Sequence, residues 1–334
     1  MIFASMESKT ESIDMTEIFA AGDRVQLTGP KGIMNTITLE SGGRFGSHKG
    51  EILHDDIIGA PSGSVIENHN GDQYLALKPL LRDYVLSMPR GAAIVYPKDA
   101  GQIIVEADIF PGATVIEAGV GSGALSSYLI RAIGQDGRLT SFERRSEFAE
   151  IAKGNVANFL GYKPQNWEVV DGDLQEMLPQ KIKAGSADRA VLDMLAPWEC
   201  IDSVATALRP GGLVIVYVAT VTQLSRTAEQ IKAHGGFTEP DAWESMVRPW
   251  HLDGLAVRPE HRMISHTGFL LSARRLAPNT TLPSFKTRRG NKTEHTDQDM
   301  DIWLPQAMGQ RPISEKKLRK TVRKVTGETK SGQN

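Results

Sequence analysis

The sequence predicts an α/β protein: a doubly wound, mostly parallel sheet that ends in an antiparallel hairpin, preceded by a small β domain. Three observations predict it. From about Pro97 to His234, short apolar runs alternate with longer amphipathic stretches, the rhythm of a parallel sheet with crossover helices. A glycine-rich turn, Gly119-Val120-Gly121-Ser122-Gly123, joins the first of those strands to its helix. Residues 20–80 instead read as short strands punctuated by glycine and proline.

In chain order, Arg24–Leu27 and Ile33–Leu39 flank Gly29-Pro30-Lys31-Gly32, a hairpin signal, and Val65-Ile66 and Tyr74–Leu77 add two further strands. Together they predict a small antiparallel barrel or sandwich, with Pro79–Met88 as a short helix leading out of it. The alternating part begins with the strand Thr114–Glu117 and the helix Ala124–Ala132, then Arg138–Phe142 and Ser146–Leu160. Trp167–Val170 and Arg189–Leu192 follow as strands, then the helix Glu199–Leu208, stopped by Arg209-Pro210-Gly211-Gly212. Leu213–Val218 is the fifth strand and Gln223–His234 its helix. Trp243–Val247 and Gly268–Ala273 come last, with no good helix between them, which suits an antiparallel hairpin on an otherwise parallel sheet.

These elements divide the 334 residues into a flexible N-terminus (1–19), a small β-barrel-like domain (20–80), the α/β domain (81–276) and a basic, largely flexible tail (277–334). The single cysteine, Cys200, excludes an intrachain disulfide and a cysteine-rich zinc site, and no histidine spacing suggests a metal. That usage fits a reducing cytoplasm. Met1–Met15 lacks the apolar core of a signal peptide, and the densest apolar run, Leu213–Ala219, is too short to span a bilayer, so no membrane partner is expected. The net charge of −2 is unevenly spread. The tail from Ala277 carries 12 Lys/Arg against 6 Asp/Glu, while the preceding part is acidic. Such a tail is most often a solvated terminus; the sharper reading is an arm for phosphates, with Ser314–Val325 as a basic helix.

The glycines between strand and helix allow a tight turn and close approach of backbone to a ligand. Glu143, at the end of the second strand, is placed to accept hydrogen bonds from both hydroxyls of a ribose. Gly119-x-Gly121-x-x-Ala124 also satisfies the dinucleotide pattern, so the turn alone does not name the ligand. Gly172-Asp173 after the third strand, Pro210-Gly211-Gly212 before the fifth, and the terminal hairpin move the reading to a Rossmann-like S-adenosylmethionine methyltransferase.

Tyr96-Pro97-Lys98-Asp99-Ala100-Gly101-Gln102-Ile103, Glu117–Leu125, Leu192-Asp193-Met194-Leu195-Ala196-Pro197-Trp198-Glu199, Val218–Ser225 and His266–Leu270 together resemble the bacterial tRNA (adenine-N1)-methyltransferase family, particularly its actinobacterial members. His48-Lys49-Gly50 and His54–Gly59 match it too, and the resemblance covers roughly Gly22–Leu276. It implies methyl transfer from S-adenosylmethionine to N1 of the TΨC-loop adenosine (position 58 of tRNA), and a homotetramer. By motif it implies cofactor contacts from Gln102, Gly119, Gly121, Ser122, Gly123, Ala124, Leu125, Glu143 and Asp193, with Asp173 near the cofactor's adenine. Asp193 is the catalytic residue implied at the target base. Some relatives carry histidine at the position of Phe148, where no polar cofactor contact is expected.

Adenine N1 has an in-plane lone pair and needs no base before attack; the product is a cationic base. The protein must therefore position N1 and stabilise positive charge, which suits Asp193. The plainer role for Asp193 is a helix N-cap before Pro197–Leu208. Trp198 is equally a wall of a base pocket or a core residue. Arg82, Arg90, Lys98 and Arg248 are candidates for the tRNA backbone, and each is more often a solvated charge. His251, His261 and His266 are open between packing and RNA contact. Cys200 suggests a covalent mechanism, but a lone cysteine at a helix start is more often a small buried residue. The competing readings are another doubly wound methyltransferase, such as one acting on isoaspartyl carboxylates, and a non-catalytic tRNA-binding subunit. Retention of both the glycine turn and Asp193 argues against the second.

Overall fold

The computed structural model describes residues 17–47, 50–283 and 315–326. The expectations for residues 1–16, for His48-Lys49, and for the tail at 284–314 and 327–334 lie outside the described residues. The chain divides into two compact units, Met1–Ser87 and Met88–Asn334.

In the first unit, β1 (Arg24–Thr28), β2 (Met34–Thr38), β5 (Ser64–Glu67) and β6 (Gln73–Leu77) form an antiparallel four-stranded sheet in the order β2-β1-β6-β5. A separate hairpin, β3 (Arg44–Ser47) with β4 (Gly50–Leu53), was not expected from the sequence; its strands are short and rich in Gly, Ser and charge, so they carry little of the pattern that marks a strand. Val25, Leu27, Leu39, Ile52, Ile57 and Tyr74 make the core of this unit. Helix α1 (Leu81–Ser87) belongs to it, with Tyr84 buried beneath the Arg24 guanidinium at 4.8 Å, so the division falls after this helix rather than before it.

In the second unit a seven-stranded sheet runs β12-β15-β11-β10-β7-β8-β9. Its parallel part is β7 (Thr114–Ala118), β8 (Arg138–Glu143), β9 (Trp167–Asp171), β10 (Ala187–Asp193) and β11 (Leu208–Val218). The antiparallel edge is β15 (Phe269–Arg274), inserted between β11 and β12 (Asp241–Trp243). Alternation along the strands feeds two cores. Ala190 and Leu192 pack with Val214 and Val216 toward α5 (Leu174–Lys181), α6 (Ile201–Ala207) and α7 (Val221–His234). Val191, Val115 and Ile215 point the other way, toward α2 (Pro97–Glu106), α3 (Ala124–Ile133) and α4 (Ser146–Leu160). Fully burying one such Val, Leu or Ile is worth about 1.5–3 kcal/mol, so both faces of the sheet are strongly specified.

Three elements depart from expectation. The edge strand is Asp241–Trp243, one stretch earlier than Trp243–Val247; Val247 makes only an isolated bridge with Ile264. The connection to β15 carries a hairpin, β13 (Trp250–Asp253) with β14 (Ala256–Pro259). Helix α5 forms with Pro179 inside it, and the Asp173 side chain caps its start, accepting from the Gln175 amide at 3.0 Å. The basic helix expected over Ser314–Val325 is present as α8, Glu315–Thr326, packed against α4.

Candidate active site

The chain leaves β7 toward β8 and β9 on one side of the sheet and returns to β10 and β11 on the other, so the order reverses between β7 and β10. A crevice opens at the carboxyl ends of the strands at such a point. Here it is a cavity of about 900 Å³, within the usual range for ligand sites. Gly119, Gly121, Glu143, Asp173 and Asp193 all line it, together with Phe142, Arg144, Tyr217 and Thr267.

The glycine turn brings backbone, not side chains, to the cavity. A β-carbon on Gly119 would stand 3.3 Å from Glu143 Oε2 and 3.6 Å from the Asp193 carbonyl oxygen, so only glycine leaves that space for a ligand. Glu143, buried at the end of β8, accepts from the Gly121 amide at 3.2 Å through Oε2. Its other oxygen accepts from the Arg145 amide at 3.2 Å and Arg145 Nε at 3.3 Å. The carboxylate is thus held in orientation at the rim of the cavity.

Asp193 ends β10 and is half-buried in the cavity wall. It does not cap the following helical turn: that turn begins at Pro197, its cap is Ala196, and no side chain caps it. Among the described residues no donor from the protein meets the Asp193 carboxylate. Enclosure by the wall pushes its pKa up to about 7, and the negative charge of Glu143 adds in the same direction.

Of the other residues expected at the cofactor, Gln102, Ser122, Gly123, Ala124 and Leu125 do not line the cavity. Gln102 is half-buried on α2. Ser122 Oγ accepts from the Gly91 and Ala92 amides at 3.3 and 3.4 Å, tying down the segment that walls one side of the cavity. Gly123 adopts φ 79° and lets α3 start against α4, since a β-carbon there would lie 3.0 Å from Ala152. Ala124 and Leu125 are buried in the first turn of α3. Asp173 is the cap of α5 and also pairs with Arg144 at 3.6 Å.

Several contributors were missed or misplaced in the sequence reading. Lys98, expected on a surface for RNA, is buried, with Nζ 2.7 Å from Asp99 Oδ1 and 2.7 Å from the Ser245 carbonyl oxygen. Asp99 also accepts from Ser245 Oγ at 2.8 Å and from Thr267 Oγ1 at 2.5 Å. This network stands behind Tyr217, whose phenol is pushed well above its usual range by burial. Gly268 is required there because a β-carbon would overlap the Tyr217 ring. Glu117, at the head of the glycine motif, is fully buried and accepts from Ser126 Oγ at 2.8 Å and Ser141 Oγ at 2.5 Å. Burial raises its pKa to about 7, against those hydrogen bonds, with Asp193 and Glu143 adding a small push. The signal for Lys98 and Asp99 was present as a contiguous motif, but its partners lie more than a hundred positions along the chain.

Trp198 is a core residue: it is buried, does not line the cavity, and lies under Arg226 at 4.3 Å. Cys200 is buried in the core, where loss of solvation pushes its thiol up to about 12, so no thiolate nucleophile is available. His266 sits at the cavity edge, its ring 2.8 Å from Glu244 Oε2, and that hydrogen bond raises its pKa. His251 faces Glu260 at 3.6 Å.

The chain matches two family models: TrmI-like N-terminal over residues 18–66, and tRNA methyltransferase complex GCD14 subunit over residues 74–257. A curated relative, the tRNA (adenine(58)-N(1))-methyltransferase of Thermus thermophilus, is 32% identical over 73% of this chain and 94% of its own. The tRNA (adenine(57)-N(1)/adenine(58)-N(1))-methyltransferase of Methanocaldococcus jannaschii is 31% identical over 69% and 88%. Among solved structures, a SAM-dependent O-methyltransferase from Thermotoga maritima superposes with TM-score 0.74 at 29% identity, covering 79% of this chain and 97% of that one. The tRNA (m1A58) methyltransferase of Aquifex aeolicus gives 0.69 at 26% identity, with 78% and 100% covered. With a glycine turn, a rim carboxylate and a strand-end aspartate around one cavity, and with these matches spanning both units, the chain belongs to the tRNA methyltransferase family described as the GCD14 subunit of the tRNA methyltransferase complex.

Proposed function

We infer that this chain is an enzyme that transfers a methyl group from S-adenosylmethionine to N1 of adenosine 58 in the TΨC loop of tRNA. The observation that carries the reading is Asp193: a strand-end carboxylate, free of any capping role, facing the same cavity as Glu143 and the Gly119–Gly121 turn. Its relatives with that reaction in their names cover nearly their whole length in the match.

The cavity fits the cofactor. Gly119 leaves open the space a β-carbon would take, and Glu143 offers a fixed carboxylate for ribose hydroxyls. When bound, S-adenosylmethionine supplies a methyl group on a sulfonium, already activated for displacement. Asp193 then has two tasks. Its carboxylate accepts from the exocyclic amino group of adenine and so orients N1 for attack. It also offsets the positive charge that the base acquires, and a preformed carboxylate does so without reorganising at the moment of reaction. No residue need remove a proton before attack, because N1 is already a free lone pair. The target adenosine must leave its stack to enter the cavity, at a cost of a few kcal/mol that contacts to the tRNA backbone offset. Exposed Arg90 and Arg248 are suited to such contacts.

The proposed assembly is a homotetramer in the cytoplasm. Supporting it, the β13–β14 hairpin presents Trp250, Leu252, Leu255 and Val257 to solvent, with Leu252 75% exposed, a run of apolar surface that a partner copy would cover. No helix among the described residues is long and apolar enough to cross a membrane.

The test is nucleoside mass spectrometry of an unmodified tRNA transcript treated with the protein and S-adenosylmethionine. Appearance of N1-methyladenosine at the TΨC loop is expected. A ribose-methylated nucleoside would move the assignment to oxygen transfer, and no methylated nucleoside would remove the activity altogether.

A further inference from the structure

We propose that helix α8 (Glu315–Thr326) is a docking surface for the phosphodiester backbone of the tRNA substrate, a proposal that rests on the methyl-transfer reading above. The helix has two faces. Leu318, Thr321, Val322 and Val325 recur at helical spacing and form its inner stripe, with Thr321 and Val325 buried. Two glycines make the seat. A β-carbon on Gly154 would stand 2.8 Å from Val325 Cβ and Cγ2, and one on Gly91 would stand 3.1 Å from Leu318 Cδ2. Asn158 Nδ2 donates to the Val325 carbonyl oxygen at 3.4 Å.

The outer face is cationic. Lys316, Lys317, Arg319, Lys320, Arg323 and Lys324 are all exposed. Only Arg319 has an ion pair among the described residues, with Glu315 at 3.0 Å. Lys316 and Lys320, Lys317 and Lys320, Lys320 and Arg323, and Lys320 and Lys324 are like-charged neighbours on one surface. Like charges at these spacings destabilise an isolated helix, a repulsion that a bound polyanion removes.

Two partners suit a basic amphipathic helix, an anionic membrane surface or a nucleic-acid backbone. A membrane-bound helix inserts its apolar face among the lipids. Here that face is already occupied by α4, so only the charges remain to bind. The position also favours the substrate. Gly91, under Leu318, precedes Ala92, which lines the cavity, and the amides of both are held by Ser122 Oγ. Phosphates on α8 would therefore be gripped beside the wall of the active site.

The test uses the full chain carrying Lys316→Gln, Lys317→Gln, Lys320→Gln, Arg323→Gln and Lys324→Gln together. Glutamine keeps helix propensity and leaves the buried stripe intact, so a melting curve should match the parent protein. Binding of an unmodified tRNA transcript is measured across a salt series, with methylation at saturating tRNA alongside. We expect affinity to fall at least about tenfold, and the slope of log K against log salt to shrink by roughly 0.7–0.9 for each phosphate no longer neutralised, with turnover at saturation unchanged. Unaltered affinity and slope would overturn the proposal. So would loss of binding to phosphatidylserine vesicles with tRNA affinity intact, since that result would assign the helix to a membrane. If the parent protein methylates no tRNA yet loses tRNA affinity with these substitutions, the activity reading fails and the docking surface stands.

Discussion

The backbone amide of Gly119 donates to the carbonyl oxygen of Asp193 at 2.8 Å. The bond joins the ends of β7 and β10 beyond their paired residues, where the strand order reverses. It couples the turn proposed to hold the cofactor to the residue proposed to hold the base. Precision of the order needed for attack then comes from rigid sheet, not from a loop.

Asp193→Asn keeps the shape and an acceptor but removes the charge. Single-turnover methylation of unmodified tRNA by this variant should slow by roughly 10²–10³, the usual loss for one electrostatic stabiliser. Since Asp193 caps no helix and its charge is disfavoured by burial, Asp193→Ala should not lower the melting temperature at neutral pH. Normal turnover in the asparagine variant would shift the charge-stabilising role to another group.

Glu143→Ala should weaken S-adenosylmethionine binding by about 1.5–3 kcal/mol, the range for hydrogen bonds to a charged group. Titration calorimetry reads this directly. Equal affinity in the two proteins, or tight binding of NAD to the parent, would count against the ribose assignment.

The pKa values of Glu117 and Asp193, both raised to about 7, give a signed pH dependence. The folded state holds these protons more tightly than the unfolded chain does. The stabilisation is complete below the ordinary carboxylate range and is lost as pH rises through about 7. The melting temperature of the ligand-free protein should therefore decline between about pH 5 and pH 8. Glu117→Gln should flatten that decline, because an amide can still bond both Ser126 and Ser141 and has no proton to lose. A slope identical to the parent's would show that Glu117 is ionised in the fold.

Removing Asp99 strands a buried ammonium. Lys98 would keep only the Ser245 oxygens as partners, so Asp99→Ala should cost about 3–5 kcal/mol in urea unfolding. Thr267→Val removes one donor from a carboxylate that retains two and should cost far less. If the two variants unfold alike, Asp99 and Lys98 do not act as a buried pair.

Local pattern carried most of the fold. The apolar runs that became β7, β8, β9 and β10 alternate in ways a parallel sheet demands, and the glycine turn, Glu143 and Asp193 stand at strand ends that the same pattern locates. These features are legible because each depends on residues adjacent in the chain. The short polar hairpin β3–β4 and the shift of the edge strand to Asp241–Trp243 were not, since weakly patterned strands take their place from neighbours. Only the tertiary structure decided that Lys98 is buried rather than facing RNA, because Ser245, far along the chain, closes over it and its neighbour Asp99. Likewise Asp193 is distinguished from a helix cap only by the path of Met194–Ala196, and part of the basic tail becomes a docked helix only because Gly91 and Gly154 leave it a seat. Charge and periodicity are properties of the chain; burial of a charge, and the direction in which a carboxylate faces, are set by elements that come together after folding.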